Sequence, residues 1–230
     1  MPPGVMTDEL LGAAPVADRW AQGLTSSQTR ELAVYLTLKR VVDVLGALCG
    51  LLLCLPLWAI TVIAIKLESP GPILFRQRRP GQYGIPFYIL KFRTMRQDAE
   101  ARLAEVLPLN KQEDHTLIRV DSDPRVTRVG AILRTLSLDE TPQFINVLRR
   151  EMSLVGPRPI SCQIPDPRGL ARLEARPGLT GLWQVSGRKD TDCSFMLKKD
   201  MEYLGRRCLS LDCAIALATF RALIQRDGAR

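Results

Sequence analysis

Ser137-Leu138-Asp139-Glu140 sets two adjacent carboxylates at the head of a segment whose apolar residues, Leu138, Phe144, Ile145, Val147 and Leu148, recur at helix-compatible spacing. Ser-x-x-Glu is a capping box, with Ser137 as N-cap and Glu140 reaching back from the third helical position. The same placement suits chemistry. Asp139, at the second helical position, would face free backbone N–H groups and the positive end of the helix dipole. A carboxylate there can hold a metal ion or attack a phosphoryl group. Asp139, Gln143, Asn146 and Arg150 fall on a common stripe opposite the apolar one.

Arginines are the second chemical feature. Arg134, Arg158, Arg176 and Arg188 stand in or beside segments rich in Gly, Pro and Ser. In Gly156-Pro157-Arg158-Pro159 the prolines stiffen the backbone on both sides of one guanidinium, which lowers the entropy lost when it grips an oxyanion. Several such arginines around a carboxylate suit a pyrophosphate. Asp121-Ser122-Asp123 is a D-x-D triplet of the kind that holds a divalent cation on a nucleotide diphosphate sugar, although Pro124 also makes it a turn candidate.

Other chemistries find no support. The single histidine, His115, would have to carry any triad or imidazole metal site alone. The six cysteines include no C-x-x-C pair, and neither a Walker A sequence nor G-x-G-x-x-G occurs. The net charge of +8 favours an anionic partner. With aromatics at 6% and no basic stretch whose interleaved aromatics suit base stacking, nucleic acid is a poor fit. Anionic lipid fits better, because basic residues cluster around the apolar segment.

The elements that must position these groups begin with a tail, residues 1–36, without a secretory-signal pattern and ending in a short helix over Thr29–Leu38. Val44–Ile65 is 22 residues without a charge, long enough to span a bilayer. Pro56 divides it, and Lys39 and Arg40 before it are balanced by Lys66, Arg76, Arg78 and Arg79 after it. Positive charge on both flanks resists translocation. A helix that enters the membrane, breaks at Pro56 and returns to the same face satisfies both features; a kinked spanning helix is the alternative. Ser69-Pro70-Gly71-Pro72 stops the helix, and runs at 73–75 and 87–92 flank a turn at 79–84, predicting a hairpin with a basic tip. Residues 137–150 read as one helix, 156–159 and 176–181 as irregular, and 209–224 as a helix lying on a membrane face. The expected boundaries are a tail over 1–36, the re-entrant helix over 37–67 and a catalytic domain over 68–230.

Six of these motifs, in this order, resemble the bacterial sugar transferases, the monotopic polyprenyl-phosphate phosphoglycosyltransferases. They are Lys39-Arg40 with Asp43, Lys91-Phe92-Arg93-Thr94-Met95, Asp123-Pro124-Arg125, Ser137-Leu138-Asp139-Glu140, Gly156-Pro157-Arg158-Pro159 and Arg176-Pro177-Gly178-Leu179-Thr180-Gly181. The resemblance covers residue 37 to the C-terminus. It implies a predominantly helical α+β fold with a re-entrant helix broken at Pro56, a small β-hairpin and interfacial amphipathic helices. It further implies transfer of a sugar 1-phosphate from a UDP-sugar to polyprenyl phosphate at the cytoplasmic face of a bacterial inner membrane. Asp139 is then the nucleophile and a Mg²⁺ ligand, Glu140 the second acid, and Arg134 and Arg158 phosphate-binding residues. Lys91, Arg93 and Arg188 match motif positions near the site, and with Arg176 they are the further expected phosphate- or substrate-binding residues. Leu55 stands where relatives often have a small polar residue, so the bend rests on Pro56 alone. The stretch 181–188 resembles the hexose (glucose or galactose) branch, and the chain is expected to be the catalytic unit alone. The expected partners are a UDP-sugar, polyprenyl phosphate and membrane lipid, with a homodimer left open. Two competing readings are a glycosyltransferase that binds metal through Asp121 and Asp123, and a membrane-anchored assembly protein in which Ser137 and Glu140 only cap a helix.

Overall fold

The computed structural model describes residues 26–106, 123–159, 170–186 and 193–225. Its first element, α1 (Ser26–Glu68), is a single helix of 43 residues, about 65 Å long at 1.5 Å per residue. The expected helix over Thr29–Leu38 is simply its beginning. The expected break at Pro56 is not a break in helical conformation, because Pro56 lies inside α1. Proline removes the hydrogen bond its N–H would have given the Leu52 carbonyl. The Leu- and Ala-rich turns on either side have the propensity to continue regardless.

Of the described helices, α1 alone is long and apolar enough to cross a membrane, yet both of its limbs pack on the rest of the chain. Before Pro56, Tyr35 and Lys39 bond the Asp212 carboxylate at 2.9 and 2.8 Å. Arg40 donates to the Val147 and Leu148 carbonyls. Asp43, buried, accepts from the Ser153 hydroxyl and the Leu154 N–H. Ala47 closes a core cluster with Phe87, Ile89, Val147 and Met152. After Pro56, Trp58 and Val62 pack against a cluster of Ile65, Phe92 and Leu133. The other side of α1 is bare: Leu45, Leu52, Leu53, Ile60, Ile63 and Leu67 are each 59% to 83% exposed. An apolar surface of that extent marks an interaction face.

The chain then turns through Ser69–Pro72 into the expected hairpin of β1 (Leu74–Pro80) and β2 (Pro86–Phe92), antiparallel with Leu74 opposite Phe92 and Pro80 opposite Pro86. Alternation sends Phe87 and Ile89 of β2 into the core. Two short helices follow, α2 (Leu103–Val106) and α3 (Arg128–Thr135). The single helix expected over 137–150 is instead a 3₁₀ turn, Leu138–Glu140, and a separate helix α4 (Gln143–Leu148). Pro142 is the physical reason, since a residue without an N–H is best placed at a helix start.

The rest comprises β3 (Ser153–Val155), a 3₁₀ turn over Ala171–Glu174, β4 (Gly178–Thr180), α5 (Leu182–Ser186), α6 (Cys193–Arg206) and α7 (Leu209–Gln225). The segments expected to be irregular contain or border a parallel pairing, Ser153 with Gly178 and Val155 with Thr180. Glycine makes it possible: a Cβ on Gly178 would lie 2.2 Å from the Gly156 nitrogen. Tyr203 of α6 and Ile215 of α7 pack on Val155, while Leu217, Phe220 and Ile224 of α7 stay exposed. Among the described residues the architecture is thus mostly helical, with two small two-stranded sheets.

Candidate active site

The acidic pair sits on the 3₁₀ turn between α3 and α4, and its local structure differs from a capping box. Ser137 adopts a left-handed conformation, φ 54° and ψ 21°, and its side chain caps nothing. A non-glycine residue there costs on the order of 1 kcal/mol, a strain that surrounding contacts must hold. Those contacts come largely from α1. The Trp58 indole donates to the Thr141 hydroxyl at 2.8 Å, and that hydroxyl donates to the Leu138 carbonyl. Trp58 also meets Phe92 edge to face at 5.5 Å, a geometry the ring quadrupoles favour. The carboxylates are therefore presented by a strained turn pinned to the apolar helix.

Lys91, the penultimate residue of β2, pairs with Glu140 at 2.6 Å. Its register is set by Asn146 of α4, fully buried, whose side chain accepts from Leu90 N–H and donates to the Tyr88 carbonyl. Asn146 and Gln143 thus belong to the interior, not to a solvated polar stripe. Asp139 is half-buried, within electrostatic reach of Lys91 and Arg134. Burial first, and the neighbouring Glu140 charge second, push its carboxyl up to about 6, against the pull of Lys91 and Arg134. Such a carboxylate is ionised at neutral pH and less stabilised than a solvated one.

Arg134 approaches from α3. Thr127 caps that helix by accepting from Gly130 N–H, and Glu68, at the end of α1, accepts from the N–H groups of Arg128 and Val129. A carboxylate at this end is favoured by the helix dipole. Gly130 lets α3 approach the backbone at Thr94, where a Cβ would lie 2.1 Å from the carbonyl oxygen. The Arg134 Nε then donates to the Thr94 hydroxyl at 3.0 Å. Lys91, Arg134, Asp139 and Glu140 are thereby gathered in one place.

Among the described residues, no hydrogen bond or ion pair joins the remaining sequence candidates to Asp139 or Glu140. Arg93 is buried and spends its guanidinium on the Ser69 hydroxyl and the carbonyls of Ser69 and Pro70. Arg176 acts together with Arg150 on Arg40, which binds the carbonyls at the C-terminal end of α4. The Arg158 guanidinium stacks over Trp183 at 4.8 Å, and no hydrogen bond or ion pair among the described residues joins it to the acidic turn. Arg188, His115 and Asp121 lie outside the described residues. Asp123 is held by Arg125 through 2.7 and 2.9 Å contacts, which keep its carboxyl below the usual range and leave it a poor metal ligand. Sequence reasoning missed Trp58 and Thr141, and gave Thr94 no role beyond its place in the Lys91–Met95 motif. The signal for Trp58 was an indole N–H inside an otherwise apolar run, a donor that needs a partner.

Residues 34–226 match the family model described as bacterial sugar transferase. The chain belongs to the bacterial sugar transferase family. It is 40% identical over 196 residues to the exopolysaccharide production protein ExoY of Rhizobium meliloti, covering 83% of this chain and 87% of that protein. It is 44% identical over 204 residues to the UDP-glucose:undecaprenyl-phosphate glucose-1-phosphate transferase of Caulobacter vibrioides, covering 83% and 71%. Against the undecaprenyl-phosphate galactose phosphotransferase of Salmonella typhimurium it is 37% identical over 202 residues, covering 84% of this chain and 41% of that protein. As a member of this family of transferases, the chain has in the Asp139 turn a candidate for its catalytic centre.

Proposed function

We propose that this sugar transferase moves a hexose 1-phosphate from a UDP-sugar to polyprenyl (undecaprenyl) phosphate, releasing UMP, and so initiates a polysaccharide or glycoconjugate chain. The observation that carries the reading is the placement of Asp139, a destabilised carboxylate beside a second acid, with Lys91 and Arg134 in electrostatic reach. The names of the relatives, two of which specify undecaprenyl-phosphate sugar transfer, support the substrate pair.

In this reading an Asp139 carboxylate oxygen bonds to the phosphorus attached to the sugar, and the bond to the UMP oxygen breaks. UMP departs with that electron pair, leaving a phosphosugar on Asp139. A polyprenyl phosphate oxygen then attacks the same phosphorus, frees the Asp139 carboxylate and yields the polyprenyl diphosphate sugar. One site thus serves a soluble donor and a lipid acceptor in turn. Lys91 and Arg134 neutralise the charge that develops on the phosphoryl oxygens, and Arg158 holds a donor phosphate. Two adjacent carboxylates suit Mg²⁺, which uses one or two carboxylates together with substrate phosphates. Bound there through Asp139, the ion would supply further neutralisation of the pyrophosphate.

The apolar helix is proposed to be re-entrant, dipping into the cytoplasmic leaflet of the inner membrane near Pro56, with α7 lying on the same interface. Support comes from α1 itself: Tyr35, Lys39 and Arg40 on one limb and Trp58, Ile65 and Glu68 on the other all contact the same body. A crossing helix would put those partners on opposite faces of the bilayer. Cysteines introduced at Ser27 and Glu68 are expected to react with an impermeant reagent from the same face; reaction from opposite faces would sink the re-entrant reading.

The test of the reaction is nucleotide release from purified protein in lipid nanodiscs with polyprenyl phosphate, Mg²⁺, and UDP-glucose or UDP-galactose. UMP is expected, and it should disappear in Asp139→Asn. UDP as the product would transfer the chemistry to glycosyl transfer.

A further inference from the structure

Away from the acidic turn, one arginine is immobilised more completely than a surface residue requires. Arg172 of the 3₁₀ turn and Asp200 of α6 form an ion pair at 2.5 Å, 2% and 1% exposed. Both partners also bind the backbone of a third residue. Arg172 Nη2 donates to the Arg158 carbonyl, and the Asp200 carboxylate accepts from the Arg158 N–H. Pro159 restricts Arg158 further, since a residue before proline is confined to extended conformations. The Arg158 guanidinium stacks on Trp183 at 4.8 Å and has no hydrogen-bond partner among the described residues. Backbone and side chain are thus fixed by contacts that use none of the guanidinium N–H donors.

Stability alone is a weak reason for this arrangement. Buried ion pairs roughly break even against well-packed apolar residues, because desolvation offsets the attraction. Burial pushes the Asp200 carboxyl up to about 6 in spite of the adjacent Arg172 charge, so the carboxylate is held there at a cost. What the pair accomplishes is preorganisation: a guanidinium already oriented loses little entropy when it grips an oxyanion.

Resting on the reading that Arg158 holds a donor phosphate, we propose that Arg172 and Asp200 are a positioning pair that fixes Arg158 for the nucleotide sugar. The pair touches neither substrate nor the reacting atoms. Its effect falls on the donor and leaves the lipid acceptor alone.

The experiment uses the full chain in nanodiscs with whichever of UDP-glucose and UDP-galactose turns over, comparing Arg158→Ala, Asp200→Asn, Arg172→Lys and the double variant Arg158→Ala/Asp200→Asn. Asp200→Asn and Arg172→Lys are each expected to raise the donor KM about tenfold, the loss of a charge-assisted hydrogen bond. The acceptor KM and kcat at saturating donor should stay within about twofold. Arg158→Ala should raise the donor KM at least as much, and adding Asp200→Asn to it should change little further. Should Asp200→Asn fail to fold, Arg172→Lys carries the same readout. Equal increases in donor and acceptor KM, or full additivity in the double variant, would overturn the positioning role while leaving Arg158 as a donor ligand. A donor KM unchanged in Arg158→Ala would remove the underlying reading, and the positioning pair with it.

Discussion

Asp139 and Asp200 are both aspartates whose carboxyls are pushed up to about 6, and in both the first cause is burial. Their surroundings divide them. Asp200 lies inside α6, its carboxylate ion-paired with Arg172 and accepting from the Arg158 N–H. Asp139 lies on a strained turn, and its acidic neighbour Glu140, not Asp139 itself, takes the close contact with Lys91. The lesson is that a perturbed carboxyl alone does not identify a nucleophile. What distinguishes Asp139 is that its cationic neighbours Lys91 and Arg134 oppose the shift without a direct ion pair to it.

The largest expected effect separates the two most sharply. Asp139→Asn should lower UMP release by roughly 10³-fold or more, the loss expected when a covalent nucleophile is removed, and yet stabilise the fold. The raised carboxyl binds its proton more tightly folded than unfolded. Its ionisation therefore opposes folding fully above about pH 6 and not at all once both states are protonated below about pH 4. Thermal unfolding of Asp139→Asn should show a gain on the order of 2 kcal/mol at pH 7.5 that vanishes near pH 4. A stability loss at pH 7.5 would break the contrast.

Next comes Glu140→Gln. In the parent, kcat/KM for the donor should fall below about pH 6 as Asp139 takes up a proton. Removing the Glu140 charge deletes the second cause of the raised value and frees Lys91, so the acid limb should move to lower pH while kcat drops by about tenfold to a hundredfold. Asp200→Asn should leave that limb in place. Trp58→Phe should act more mildly, because it keeps the edge contact with Phe92 and loses only the bond to Thr141. A cost of about 1 kcal/mol in denaturant unfolding is expected, with a several-fold loss of kcat. Ser137→Gly should be smallest, a stabilisation below about 1 kcal/mol as the left-handed strain is relieved.

Much of this was readable in the chain. The hairpin followed from turn chemistry at 79–84 between two strand-forming runs, and the apolar helix from 22 uncharged residues. The acidic turn and its arginines stood out by residue type, and the order of the motifs pointed to the family. Three features resisted. Ser-x-x-Glu at 137–140 matches a capping box, but Pro142 starts a new helix two residues on and tertiary contacts hold Ser137 left-handed. Pro56 reads as a breaker, although strong helix formers on both sides carry α1 through it. Arg93 reads like Arg134 in a list of loop cations; only the fold reveals that its two Nη atoms donate to Ser69 and Pro70.

The two-ended attachment of α1 also bears on how the enzyme can be handled. An anchor joined by a single flexible link could be cut away to leave a soluble catalytic fragment. Here Ala47 completes one core cluster, Ile65 another, Trp58 steadies the acidic turn and Glu68 caps the helix that delivers Arg134. Trimming the chain before residue 69 would unroof Phe87, Ile89 and Phe92 and strip from the start of α3 the Glu68 carboxylate that accepts from Arg128 and Val129. The route to a water-soluble form is instead to recolour the bare side of α1, replacing Leu45, Leu52, Leu53, Ile60 and Ile63 with polar residues while every packed position stays as it is.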